Sequence, residues 1–315
     1  MKAVVLEADH HFRLTEVPDP VPGPGEVAVQ VAYAGVQWGD VLVREGHFPV
    51  PRPFVPGFEV AGRITATGAG VAEDRVGEQV VALVDGGGYA EVVLAPSALA
   101  ITAESVDVRT AGGFGWIAPT AYDLINTVAG IGPGDSVLIH AASGGVGTLA
   151  AQFAAAAGAT RIIGVAGDAE RADYARQFGY HRVLTREEFP RALGEETFDA
   201  VLDPVGGTTR TANLALLAPH GRLVVYGNIV TFDPVDISTN DLLMNGQSVM
   251  TYNSNLLSRT HPARLAGSAA GALALVADGS VRIDITAEHE LADVETAIAN
   301  LATGATRGRS VIRVR

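Results

Sequence analysis

Apolar and polar residues alternate along Glu26-Val27-Ala28-Val29-Gln30-Val31-Ala32-Tyr33, which predicts a strand with one buried face. Phe58-Glu59-Val60-Ala61-Gly62-Arg63-Ile64 and Tyr89-Ala90-Glu91-Val92-Val93-Leu94 repeat the pattern less cleanly. The N-terminal third therefore reads as β-rich. Pro18, Pro20, Pro22, Pro24 and Gly25 make a stiff, turn-rich link between early strands. Pro49, Pro51, Pro53 and Pro56 mark a long loop before Gly57. From Val108 onward the period changes. A helical stretch carrying Trp116, Tyr122, Leu124 and Val128 runs to Gly130-Ile131-Gly132-Pro133-Gly134. Strands are then expected at 136–140, 161–166, 198–202, 222–227 and 247–251, with helices at 145–157, 169–178 and 208–217. That alternation implies a parallel sheet with helices on both faces. Two more helices, near 262–277 and 291–302, precede a closing strand Ser310-Val311-Ile312-Arg313-Val314.

The stretch Ala141-Ala142-Ser143-Gly144-Gly145-Val146-Gly147 sits between the strand ending at His140 and the helix starting near Thr148. Strand, glycine-rich turn and helix together form a dinucleotide clamp. Gly144 allows backbone to approach a pyrophosphate, and Gly147 allows the helix to pack closely on the strand. Ala142 takes the place of the first glycine of G-x-G-x-x-G. Free N–H groups at the helix start would face the phosphates.

A site for an unphosphorylated coenzyme usually places Asp or Glu at the end of the second strand, about 20 residues past the glycines. Here the strand ends Ile163-Gly164-Val165-Ala166-Gly167, without a carboxylate. That leaves room for a 2′-phosphate. Arg171 lies one turn into the next helix, and Arg182 and Arg186, placed after the third strand, are further candidates. Arg binds a phosphate through a planar fork. The reading is therefore NADPH rather than NADH. Asp168 is either a displaced acid or the cap of the following helix, with capping preferred. Arg171 also has a bland reading as a solvated charge.

Composition narrows the classes. The chain has 315 residues, enough for two domains, and a net charge of −13. Such acidity argues against nucleic acid and anionic membrane as partners. Cysteine is absent, which excludes disulfides, thiolate zinc sites and a cysteine nucleophile. The start turns acidic at Glu7, too soon for a signal peptide, and the most apolar stretch is broken by Gln152, Gly158 and Arg161. A soluble, cytoplasmic protein is the expectation.

The chain resembles the medium-chain dehydrogenase/reductase superfamily, and within it the zinc-independent quinone oxidoreductase (zeta-crystallin-like) branch. Three motifs carry the resemblance, in the right order and over nearly the whole length. The first runs Val36-Gln37-Trp38-Gly39-Asp40, Arg44-Glu45-Gly46-His47-Phe48-Pro49 and Val55-Pro56-Gly57-Phe58-Glu59-Val60-Ala61-Gly62. The second is Pro119-Thr120-Ala121-Tyr122, and the third is the glycine loop. The resemblance implies an α/β chain with a GroES-like β-rich catalytic domain from 1–115 and 252–315. A Rossmann domain with a doubly wound parallel sheet would occupy 116–251. It implies that Gln37, Trp38 and Phe48 line the catalytic site. Gln37 stands where the family has Asn, Trp38 where an aromatic is usual, and Phe48 where a Tyr hydroxyl is lost. Trp38 has a second reading as core filler. Leu42 sits where some members carry Tyr. Asp40 reads as a helix-start residue or an ion-pair partner of Arg44. Cofactor contacts are expected from Thr120, Ser143, Gly144, Gly145, Val146, Gly147, Gly167, Arg171, Arg186, Gly227, Asn228, Thr251, Tyr252 and Asn253.

No zinc is expected. Phe58 occupies the histidine position of the family's G-H-E, and no His has ligand spacing. Without a Lewis acid, alcohol oxidation is not expected. The expected reaction is hydride transfer from NADPH to a quinone or an α,β-unsaturated carbonyl. Two alternatives stand beside it. One is an enoyl reductase acting on a carrier- or CoA-bound thioester, for which Arg259, Arg307 and Arg309 would supply basic contacts. The other is a non-catalytic NADPH-binding protein. A homodimer is expected, with the apolar strand Ser248-Val249-Met250-Thr251 near a sheet edge.

Overall fold

A computed structural model describes residues 1–315. The chain divides into two compact units, Met1–Pro119 with Leu257–Arg315, and Thr120–Leu256. No helix is long and apolar enough to cross a membrane.

The first unit holds β1 (Lys2–Leu6), β2 (Phe12–Glu16), β3 (Glu26–Gly35), α1 (Trp38–Arg44), β4 (Glu59–Thr67), β5 (Gln79–Leu83), β6 (Val92–Pro96), β7 (Ala100–Thr102) and α2 (Val108–Phe114). Helix α3 (Ile117–Tyr122) follows. The second unit carries β8 (Ser136–His140), α4 (Gly145–Ala156), β9 (Arg161–Ala166), α5 (Ala169–Ala175), β10 (Arg182–Thr185), β11 (Phe198–Asp203), α6 (Gly207–Ala215), β12 (Leu217–Val225), α7 (Thr239–Asn245) and β13 (Ser248–Thr251). Then come α8 (Ser254–Thr260), α9 (Pro262–Ala277), β14 (Ile285–Glu290), α10 (Val294–Ala302) and β15 (Arg309–Arg313).

In the first unit, seven strands form one sheet in the order β14-β15-β3-β4-β5-β7, with β6 also paired to β3, and β1 and β2 form a hairpin. The alternation along β3 buries Val27, Val29 and Val31 at 0% exposure, in one core with Val60, Ile64, Val80, Ile298 and Ile312. Every valine of that face is β-branched, which suits a pleated surface packed on one side.

In the second unit, six strands run in the order β10-β9-β8-β11-β12-β13, and every pairing is parallel. Counted from β8, that is the 3-2-1-4-5-6 order of a doubly wound dinucleotide fold. The order reverses between β8 and β11, and ligands in such sheets collect at the carboxyl ends near that point. Leu138, Ile163, Val201 and Leu223 from four neighbouring strands share one core.

Three expectations need correction. The sequence pattern omits β10, a four-residue strand, and Arg182 opens that strand instead of following it. Strand β12 begins at Leu217, before the expected 222, with an irregular register around His220, whose φ is 65°. The helical stretch from Val108 is not continuous. It breaks at Gly115, whose φ of 29° and ψ of −139° leave the helical region, and the position requires glycine because a side chain there would clash with Glu59. It resumes as α3 and ends in a π-helical turn, Asp123–Val128.

Candidate functional site

The nucleotide side starts at the end of β8. Ala141 adopts a left-handed φ of 53°, a conformation that non-glycine residues hold only where their surroundings impose it. It turns the chain so that Gly144 N–H donates to Ala141 O at 2.9 Å and Ala142 N–H to Val165 O at 3.0 Å. Ala142 is fully buried in the place of the first glycine. A Cβ on Gly147 would lie 2.3 Å from Ala141 O, so the close helix–loop approach requires glycine. Tyr180, itself buried, donates its phenol to Gly147 O at 2.7 Å and fixes the loop from below. No side chain caps the start of α4. Its first N–H groups are therefore available to an anion.

Gly167 follows the end of β9. A Cβ built there would lie 3.1 Å from Arg171 Nη1 and 3.9 Å from Arg186 Nη2. Two guanidiniums thus converge on one glycine at the strand end. Arg186 is held by its backbone, which donates to Ala166 O at 2.7 Å. Arg182 is not part of this group, because it pairs with Glu196 at 3.0 Å. Asp168 caps α5, as expected, accepting Arg171 N–H at 2.9 Å.

The remaining residues expected on this side sit as follows. Thr120 and Ser143 are buried at 8% exposure each. Gly227 O and Asn228 Oδ1 both accept from Arg210 Nη2, at 2.9 and 3.2 Å, and Arg210 is held in turn by Asp203. The Tyr252 hydroxyl donates to Asp123 Oδ2 at 2.8 Å, and Asn253 Oδ1 accepts Leu256 N–H at 3.0 Å, so both brace the segment after β13. Thr251 is exposed at the end of that strand. His140 hydrogen-bonds through Nε2 to Asn213 Oδ1 at 2.8 Å, and burial pushes its pKa down. It is a satisfied core imidazole. Sequence reasoning missed Arg210, Tyr180 and Asp123, because each acts through a partner on another element.

In the other unit, Gln37 and Trp38 open α1. Trp38 is half-buried against the core, and Phe48 is exposed in the loop after the helix. Asp40 organises this corner from beneath. It is buried and accepts three hydrogen bonds, from Gln37 N–H at 2.9 Å, Tyr89 OH at 2.8 Å and Gly57 N–H at 3.2 Å. The helix-start reading of Asp40 holds, but Arg44 is not its partner. Arg44 reaches Glu295 at 3.7 Å. Arg309, expected in a basic contact surface, is instead buried against Glu59. Arg259 lies 3.6 Å from Asp85.

Burial pushes the Asp40 carboxyl up to about 6, while its three donors and the charge of Arg309 pull it back. The native state therefore takes up a proton at a pH where the unfolded chain, with an ordinary value of about 3.9, does not. Stability from this group rises as pH falls from about 6 to about 4, and the charged form is penalised above 6. The unfolding free energy of wild type minus that of Asp40→Asn is predicted to shift in favour of wild type by about 2–3 kcal/mol between pH 7 and pH 4. Urea titrations at each pH read it, and a flat difference would deny the assignment.

Residues 145–265 match the family model of zinc-binding dehydrogenases, and residues 23–105 that of the alcohol dehydrogenase GroES-like domain. The donor set does not fit a zinc ion. Cysteine is absent, and no group of three or more His, Asp or Glu is placed to hold a metal. Phthioceranic/hydroxyphthioceranic acid synthase of Mycobacterium tuberculosis is 31% identical over 308 residues, which cover 93% of this chain and 14% of that much longer protein. A mycobacterial protein solved with NADPH is 30% identical, with a TM-score of 0.89 and 100% of each chain covered. The quinone oxidoreductase of Thermus thermophilus, solved also in complex with NADPH, is 30% identical, with a TM-score of 0.85 and the same 100% coverage of both chains. On these matches across the whole of each chain, the protein belongs to the quinone oxidoreductase family, within the medium-chain dehydrogenases/reductases.

Proposed function

We propose that the chain reduces a quinone or an α,β-unsaturated carbonyl compound with NADPH. The convergence of Arg171 and Arg186 on Gly167 carries this reading, since a carboxylate would be expected there for an unphosphorylated ribose. The NADPH complexes of related proteins support it. When bound, NADPH supplies the hydride. The backbone of Ser143, Gly144, Gly145, Val146 and Gly147 would take the pyrophosphate at the start of α4. Arg171 and Arg186 would take the 2′-phosphate. Thr120, Gly227, Asn228, Thr251, Tyr252 and Asn253 would border the rest of the coenzyme. Gln37 would offer an amide N–H to the acceptor oxygen, and Trp38 and Phe48 would wall it with apolar surface. Phe48 has no hydroxyl, so the proton that completes the reduction would come from solvent. A second copy of the chain would pair along β13, an edge strand whose Met250 is 36% exposed, and sedimentation velocity reads the dimer.

The likeness to a segment of an acid synthase favours a second reading, in which the acceptor is an enoyl thioester. Steady-state NADPH oxidation separates the two. Turnover with 1,4-benzoquinone or 9,10-phenanthrenequinone supports the first, and turnover only with crotonyl thioesters supports the second. Tight NADPH binding without turnover on any acceptor would reject both and leave a coenzyme-binding protein.

A further inference from the structure

We propose that Asp168 sets how strongly this chain discriminates between phosphorylated and unphosphorylated nicotinamide coenzymes, by competing with the 2′-phosphate for Arg171. The inference rests on the reading of Gly167, Arg171 and Arg186 as the phosphate site. Asp168 does two things at once. One carboxylate oxygen, Oδ1, accepts the Arg171 backbone N–H at 2.9 Å and starts α5. The other, Oδ2, lies 3.6 Å from Arg171 Nε. The guanidinium that would fork onto a phosphate therefore already has an anion along its Nε edge. Its Nη1 lies beside Gly167, 3.1 Å from where a Cβ would stand, and Arg186 Nη2 lies 3.9 Å from the same point.

A phosphate carries nearly two negative charges, so it must share Arg171 with a fixed carboxylate or displace it. Either course weakens its hold. The same carboxylate is a ready acceptor for the ribose 2′-hydroxyl, which only the unphosphorylated coenzyme offers. Asp168 thus acts against NADPH and not against NADH. The Asp168 side chain is 56% exposed and that of Arg171 28%, so the competition is partly screened and its effect is moderate.

The test is calorimetric titration of the full chain with NADPH, NADH and 2′,5′-ADP, which carries the phosphate without the nicotinamide. Asp168→Asn keeps an oxygen for the helix cap but loses the charge. Asp168→Ser keeps the cap and is too short to reach Arg171 Nε. Both variants are expected to bind NADPH and 2′,5′-ADP about twofold to fivefold tighter than wild type, and NADH no tighter. In an Arg171→Ala background the Asp168 substitutions are expected to change nothing. Unchanged or weaker 2′,5′-ADP binding in both variants would overturn the proposal, as would a full effect that persists without Arg171. A wild type with no preference for the 2′-phosphate would overturn the coenzyme reading itself. A wild type that prefers it, with insensitivity to Asp168, sinks the competition alone.

Discussion

Arg309→Met is expected to destabilise the protein by about 3–5 kcal/mol. Arg309 is 4% exposed and Glu59 is 0% exposed, and the two side chains pair directly. Arg309 also donates from Nε to Gly113 O at 3.1 Å and from Nη1 to Val36 O at 2.6 Å. The second oxygen of Glu59 accepts the Trp116 backbone N–H. One ion pair therefore joins β15, the end of β3, β4 and the break between α2 and α3. Burial lowers the Arg309 pKa to about 10, which still leaves it charged at neutral pH. Methionine fills similar volume, so the loss is electrostatic. It leaves a buried carboxylate without its countercharge and two carbonyls without donors. Adding Glu59→Leu removes the orphaned charge and is expected to recover much of the loss. Thermal and urea unfolding of the two variants measure this. A single substitution costing less than about 1 kcal/mol, the range of exposed pairs, would show that the pair is solvated.

The same pair marks the limit of what the sequence discloses. Strands β8 and β9 and helix α9 fall where the pattern puts them, because their signals are local. A short apolar run before glycines needs no knowledge of the rest of the chain. The glycine loop is legible for the same reason. Arg309 is not. It heads a closing strand and reads as a surface charge, and its partner stands 250 positions earlier. Asp40 shows both sides. Its place in the first turn of α1 is readable, but Tyr89 and Gly57 reach it only through sheet pairing and loop packing. Strand β10 is missed because its four residues, Arg-Val-Leu-Thr, are too few to establish a period. The helix from 108 breaks at Gly115, whose backbone leaves the helical region next to the buried Glu59, a non-local neighbour that no helical periodicity reports.

Arg171→Ala is expected to weaken NADPH binding by about one to two orders of magnitude and to leave NADH nearly unchanged. A charge-assisted hydrogen bond to phosphate contributes about 1.5–3 kcal/mol, which sets that range. Two features of the corner shape the result. Arg186 Nη2 also faces the space beside Gly167, so some preference for the phosphorylated coenzyme should survive. Asp168 meanwhile keeps only its capping bond to the backbone at residue 171 and, with no guanidinium left to compete for, should add nothing to the loss. Arg171→Lys keeps the charge without the planar fork and should fall between wild type and alanine. Helix α5 is not expected to unravel in either variant, since its cap accepts from a main-chain N–H, and circular dichroism checks this. Dissociation constants for both coenzymes decide the matter. Equal losses for NADPH and NADH would mean that Arg171 serves the helix or the surface, and that the phosphate lies elsewhere.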